Sequence, residues 1–253
     1  IISLAYIIKN KSVTVGADDL KPCCTVVGKI LKTGFPIALQ DGLIQIAFVV
    51  ITVIANRRGL TDAAAVGIVE KIISFVFLVP SSMLSTVSAL GAQNIGAKKP
   101  ERAVLTLKYA VLIAAVFGVI VSVITQFSAE YAVALFTDAS REDGTKVVML
   151  GAGYLRGYIW DCLFAGIHFS FSVFFCAVGK SGLSFMHNII AIVLVRIPGV
   201  YITSKMFAET LFPMGLATAA GSLLSVIICI FAFVLISRSG RRKIETGFEL
   251  NNM

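Results

Sequence analysis

The chain has 253 residues, of which 57% are hydrophobic and only 14% charged, with a formal net charge of +8. Soluble domains carry about 25% charged residues, so a water-soluble fold is excluded and the sequence reads throughout as an integral membrane protein. The positive charge lies mostly between apolar runs, where it anchors connections to anionic lipid, and nothing in it calls for nucleic acid.

In chain order, IISLAYII followed by KNK resembles the last two turns of a span that begins upstream, so residues 1–12 are expected to end a preceding transmembrane helix. A signal peptide is not expected there, since no basic residues precede the run and no small-residue cleavage site follows it. Residues 13–33, containing GADDLKPCCTVVGKILK, read as a cytoplasmic linker ending in a short interfacial helix. Crossing a hydrocarbon core of about 30 Å takes about 20 apolar residues. Six such runs follow, near 34–56, 62–92, 103–126, 147–178, 183–204 and 213–237. The fold expected is therefore all-α: a six-transmembrane-helix lobe over 34–238 with a cytoplasmic tail at 239–253. Between the third and fourth spans, SAEYAVALFTDASREDG alternates apolar and acidic residues and is expected to lie along the membrane surface.

Lys and Arg counts orient the lobe. Of 22 basic residues, 14 from Lys9 to Lys243 fall on one side, and five (Arg57, Arg58, Arg141, Lys146, Lys205) on the other. Lys71, Arg156 and Arg196 fall within spans. The richer side is expected to be cytoplasmic and to hold both termini of the chain.

Polar residues at membrane depth mark the candidate pathway, because a carboxylate in hydrocarbon must face water, a partner or a bound cation. In GFPIALQDGLIQ, Asp41 is flanked by Gln40 and Gln45, with Gln45 and then Phe48 following at one-turn steps on the same face. Asp41 is expected to line a transport cavity. Glu70 admits two readings, an interfacial pair with Lys71 or a pathway carboxylate. Asp161 lies near the middle of the fourth span, with Arg156 before it and His168 on its face seven residues later; Arg156 is one candidate to neutralise it. His168 reads as a packing residue or a proton carrier. Pro36, Pro80 and Pro198 are expected to bend spans, and Arg196 in VRIPGV is expected to act structurally, snorkelling outward or satisfying carbonyls freed by Pro198.

Metal and catalytic chemistry find no support in the pattern. The five cysteines (Cys23, Cys24, Cys162, Cys176, Cys229) have no ligand spacing and read as apolar filler, and the two histidines, His168 and His187, form no cluster with them. No nucleophile stands in a recognisable catalytic arrangement. Neither an enzyme nor a cofactor is expected.

GFPIALQDG, VPSSMLSTVSALGAQNIGAKKPERA, YLRGYIWD, VGKSG and LVRIPGV, in that order, resemble the second half of a multidrug and toxic compound extrusion (MATE) transporter from about residue 25 to 238. The resemblance implies twelve spans in two pseudo-symmetric six-helix lobes, with this chain supplying spans seven to twelve and an N-terminal lobe as its partner. It also implies a central cleft in the cell membrane, export of drug-like, mostly cationic compounds, and H⁺ or Na⁺ as coupling ion. The family's inner loop maps onto Gly91, Gln93, Asn94, Gly96 and Lys98. Its acidic cation ligands in the seventh and tenth helices fall about one turn from Asp41 and Asp161. A lipid-linked oligosaccharide flippase of similar architecture is the nearest rival, and a non-transporting membrane scaffold the alternative from another class.

Overall fold

The structure, a computed structural model, describes residues 24–137 and 143–250, so the expectations for residues 1–23 lie outside the described residues. All contacts described below belong to the compact unit that begins at Pro36. Its elements are helical: α1 (Cys24–Asn56), α2 (Leu60–Val76), α3 (Leu78–Gly96), α4 (Pro100–Ala134), α5 (Gly144–Tyr158), α6 (Trp160–Ala177), α7 (Ser181–Ala191), a π-helical segment (Ile192–Arg196), α8 (Ile197–Met206) and α9 (Phe212–Leu250).

Among the described residues, five helical stretches are long and apolar enough to cross a bilayer, and a sixth results if the bent pair α2 and α3 forms one span. The six predicted spans thus correspond to six helical units, with boundaries that differ in informative ways. α1 begins at Cys24, upstream of the predicted boundary at residue 34. The second span bends by 40° between Val76 and Leu78. Buried Pro80 lies in the first turn of α3, and lacking an N–H it leaves the carbonyl four residues earlier, in α2, without its helical donor. The third helix continues to Ala134, 35 residues or roughly 52 Å at 1.5 Å each. Ser128 to Ala134, expected along the membrane surface, instead extend this helix, and Ser128 Oγ donates to the Ile124 carbonyl at 3.0 Å. Local helical hydrogen bonding overrides the alternating pattern there.

Two apolar clusters form the core. One gathers Ile51, Val66, Val69, Tyr154, Tyr158 and Met214, and the other Val87, Leu107, Phe171, Phe174, Phe175 and Cys229. Backbones approach closely where α5 crosses α9. A Cβ added to Gly157 would lie 2.9 Å from the Leu216 nitrogen, so only glycine fits the crossing.

At one end of the bundle Arg58 ties two loops together. Gly59, at φ 143, makes the turn into α2 that L-residues with side chains rarely adopt. Arg58 Nε donates to Asp62 at 2.5 Å, Nη1 to the carbonyls of Ser204 and Phe207 at 2.7 and 2.9 Å, and Nη2 to those of Ala208 and Thr210 at 2.7 and 3.4 Å. The guanidinium thereby satisfies carbonyls at the C-terminal end of α8 and beyond. Replacing Arg58 by Ala is expected to cost about 2 to 4 kcal/mol, and Lys, lacking the planar fork, should recover little of it. Thermal unfolding of the full-length protein in detergent checks this; a wild-type melting temperature for both variants would remove Arg58 from the stabilising contacts.

Candidate functional site

Along α6, the segment from Asp161 to His168 falls between residues of the first apolar cluster (Tyr158, Ile159) and those of the second (Phe171, Phe174, Phe175). This segment opens onto a cavity of about 80 Å³. Its polar wall is Asp161 and His168 from α6, Asn188 from α7, Arg196 from the π-helical segment, and Ser222 and Ser225 from α9. Ile44 and Phe48 of α1, Phe77 at the α2–α3 bend and Phe169 supply apolar wall.

The dominant contact is an ion pair. Arg196 Nη2 donates to Asp161 Oδ2 at 2.7 Å, with the two side chains 11% and 1% exposed. Two features of the sequence bring them together. Asp161 lies in the first turn of α6, just past the break at Ile159, where the Cys162 N–H bonds three residues back to the Ile159 carbonyl at 3.0 Å. Arg196 closes the π-helical segment two residues before Pro198, and π geometry turns the residues after it relative to a regular α-helix. Gly221 leaves room for the approach, since a Cβ there would come 2.9 Å from Arg196 Cβ. Arg196 Cζ also stands 5.6 Å from the centroid of the Phe48 ring, a cation–π contact that reaches α1.

Among the described residues, several buried polar atoms have no hydrogen-bond partner within 3.5 Å: Asp161 Oδ1, His168 Nδ1, Arg196 Nε and the hydroxyls of Tyr154 and Tyr158. Buried polar groups are normally satisfied, so these atoms stand apart from the apolar clusters around them.

The predicted site residues separate into those the structure brings together and those it does not. Asp161, His168 and Arg196 meet at the cavity. Arg196 spends its donor on Asp161 rather than on a carbonyl freed by Pro198, which corrects that part of its expected role. Arg156 does not neutralise Asp161; its Nη2 pairs with Glu130 at 3.0 Å and its Nε donates to the Gln126 carbonyl at 3.1 Å, so it ties α5 to α4. Glu70, half-buried in α2, accepts a hydrogen bond from Thr52 of α1 at 3.2 Å, whereas Lys71 is exposed. On α1 the expected common face divides. Gln40 is buried, Phe48 is half-buried against the cavity, and Asp41 and Gln45 are exposed and do not line it. Pro36 falls within α1, and Pro198 lies at the start of α8.

Sequence reasoning left out a second polar set beside the cavity. Ser184 donates to Gln40 Oε1 at 2.9 Å and makes a short hydrogen bond with Ser172. His187 faces Ser172 through Nε2 at 3.4 Å and Ser225 through Nδ1 at 3.3 Å. The signal was present as spacing: Ser184, His187 and Asn188 share a helical face, as do Ser222 and Ser225.

A family model for MatE matches residues 36–202, well over half the chain. The chain belongs to the MatE family. MatE proteins are membrane transporters, and the several apolar helices of this member make it a multi-pass membrane protein. Solved MATE structures share its fold. A MATE protein in complex with MaL6 has a TM-score of 0.80 at 18% identity, covering 97% of this chain and 53% of the other. A MOP superfamily transporter from Pyrococcus furiosus, described as having a binding pocket of reverse polarity that suggests a different function, has a TM-score of 0.83 at 18% identity, with 93% and 53% covered. An outward-facing multidrug resistance MATE family transporter has a TM-score of 0.80 at 17% identity, with 94% and 53% covered. This MatE chain therefore spans about half the length of the structures it matches. A search of the curated proteins found no match.

Proposed function

We propose that this chain is the C-terminal lobe of a secondary transporter that exports amphipathic, mostly cationic compounds across the cell membrane in exchange for H⁺ or Na⁺. The observation that carries the coupling is Asp161, 1% exposed, with Oδ2 bound to Arg196 and Oδ1 without a hydrogen-bond partner among the described residues, in the cavity that His168 also lines. A carboxylate oxygen of this kind at membrane depth suits an exchangeable proton or a small cation. Binding of that ion and of substrate then oppose one another through their linked affinities, which is what an exchanger requires. Asp41 and Gln45, exposed on α1, are assigned to the face toward the cleft, where an N-terminal lobe of the same protein completes the substrate path. Glu70 and Gln40 support that helix from within. Both ends of the chain are assigned to the cytoplasm on the distribution of Lys and Arg.

The flippase reading asks for cationic side chains free to hold a pyrophosphate. Arg196 is engaged by Asp161 and Arg156 by Glu130, which favours a cationic substrate. A scaffold has no use for a buried ion pair lining a cavity. Accumulation of cationic dye in cells that express the full-length protein tests the substrate class. Less retained dye than in vector controls is expected, with retention restored when the ion gradient is collapsed; equal retention throughout would defeat the proposal.

A further inference from the structure

We propose that His187, with Ser172, Ser184 and Ser225, forms a proton relay leading from the cavity to Gln40 on α1. This rests on the exchanger reading above and deepens it by committing the coupling ion to H⁺.

Four helices contribute to one unbroken buried chain: Ser225 from α9, His187 and Ser184 from α7, Ser172 from α6 and Gln40 from α1. Their exposures are 1%, 1%, 2%, 1% and 7% in that order. Ser225 lines the cavity together with Asp161 and His168. From it the contacts run to His187 Nδ1 at 3.3 Å, from His187 Nε2 to Ser172 at 3.4 Å, from Ser172 to Ser184, and from Ser184 to Gln40 Oε1 at 2.9 Å.

The chain has a polarity. A serine hydroxyl carries one proton, and Gln40 Oε1 only accepts. Ser184 therefore donates to Gln40, Ser172 donates to Ser184, and His187 Nε2–H donates to Ser172. That leaves Nδ1 as an acceptor for Ser225, whose single hydroxyl proton is shared between Nδ1 at 3.3 Å and the His187 carbonyl at 3.4 Å. His187 is thus the tautomer able to take a proton on its cavity side and release one on the other. The ring of His168, centred 5.6 Å away, is the titratable group that faces it, and Asp161 with Arg196 occupies the cavity beyond.

One passage balances as follows. Hydronium in the cavity gives a proton to Ser225 and is left as water, while Ser225 gives its own proton to His187 Nδ1. His187 releases the Nε2 proton to Ser172, whose hydroxyl proton moves to Ser184, and Ser184 releases its proton to a water at the Gln40 end. Rotation of the three hydroxyls and a return of the imidazole to its first tautomer reset the chain. No atom is left in excess, and no oxidant or reductant takes part.

The network also holds four helices together, so the test must separate conduction from packing. Full-length transporter is reconstituted in vesicles that trap a pH indicator, and proton flux on addition of ethidium is compared for wild type, Ser172→Ala and His187→Gln. Ethidium affinity is measured on the same preparations. The relay predicts proton flux in the wild type, a fall of tenfold or more in both variants, and ethidium affinity within twofold of wild type. Wild-type flux in both variants overturns the relay alone, as does a parallel fall in flux and affinity. Ethidium transport without proton flux in the wild type also overturns it while leaving export intact, and absence of ethidium transport overturns both the relay and the exchanger reading.

Discussion

Arg196→Ala is expected to reduce the yield of folded full-length transporter about tenfold, because it strands Asp161 as an unpaired buried carboxylate. Breaking a buried pair by removing one partner costs about 3 to 5 kcal/mol, whereas replacing both members with apolar side chains of similar volume is often close to neutral. The pair is well buried, and its geometry, 2.7 Å between Nη2 and Oδ2, is that of a charge-assisted hydrogen bond. The double variant Asp161→Leu with Arg196→Met should therefore recover most of the folded yield while remaining unable to couple transport to an ion gradient. Asp161→Asn, which keeps shape and removes charge, should fold better than Arg196→Ala and transport no better than the double variant. Yield by fluorescence-detected size exclusion and uptake per folded molecule separate the two effects. Normal yield with abolished transport in Arg196→Ala would make Arg196 a transport residue and not a structural one.

Asp41→Asn should leave expression and yield nearly unchanged and lower export of cationic dyes by at least tenfold. Asp41 is exposed on α1, so the change removes no packed contact. Gln45 continues the same exposed face one turn on, giving a polar patch on a helix otherwise rich in Ile, Val and Leu. An exposed carboxylate in such a helix is costly against lipid and useful against a wet cleft that receives cations. Asp41→Glu, which keeps the charge, should retain part of the activity. Export by the asparagine variant at the wild-type rate would reduce Asp41 to a tolerated polar residue.

Six helical units were legible in the sequence because crossing a bilayer imposes a length and an apolarity that no other constraint in the chain imitates. Boundaries were less so. Gln126 was expected to close the third span and Glu130 to lie along the membrane surface, yet Arg156 pairs with Glu130 across α4 and α5 and the helix runs on to Ala134. At the site, charge alone picked out Asp161 and Arg196 but did not join them, because they lie on different helices 35 residues apart and the π-helical segment that sets the direction of Arg196 has no reliable sequence signature. Arg156, nearer in sequence, was the obvious partner and the wrong one. His187 escaped notice for another reason. Judged as a metal ligand it has no companions, while its actual companions are serines, which are common enough in membrane helices that single instances carry little information. Only the coincidence of Ser172, Ser184 and Ser225 around one imidazole makes them a set, and that coincidence is tertiary.

Ion-coupled export is the claim on which the other assignments depend. Full-length transporter in sealed vesicles, loaded with a cationic dye at equal concentration on both sides, is given a proton gradient in one preparation and a sodium gradient in another. Net uphill movement of dye, driven by one of the two gradients and absent in Asp161→Asn, is the predicted result. Dye that only ever equilibrates, whichever gradient is imposed, would contradict the account.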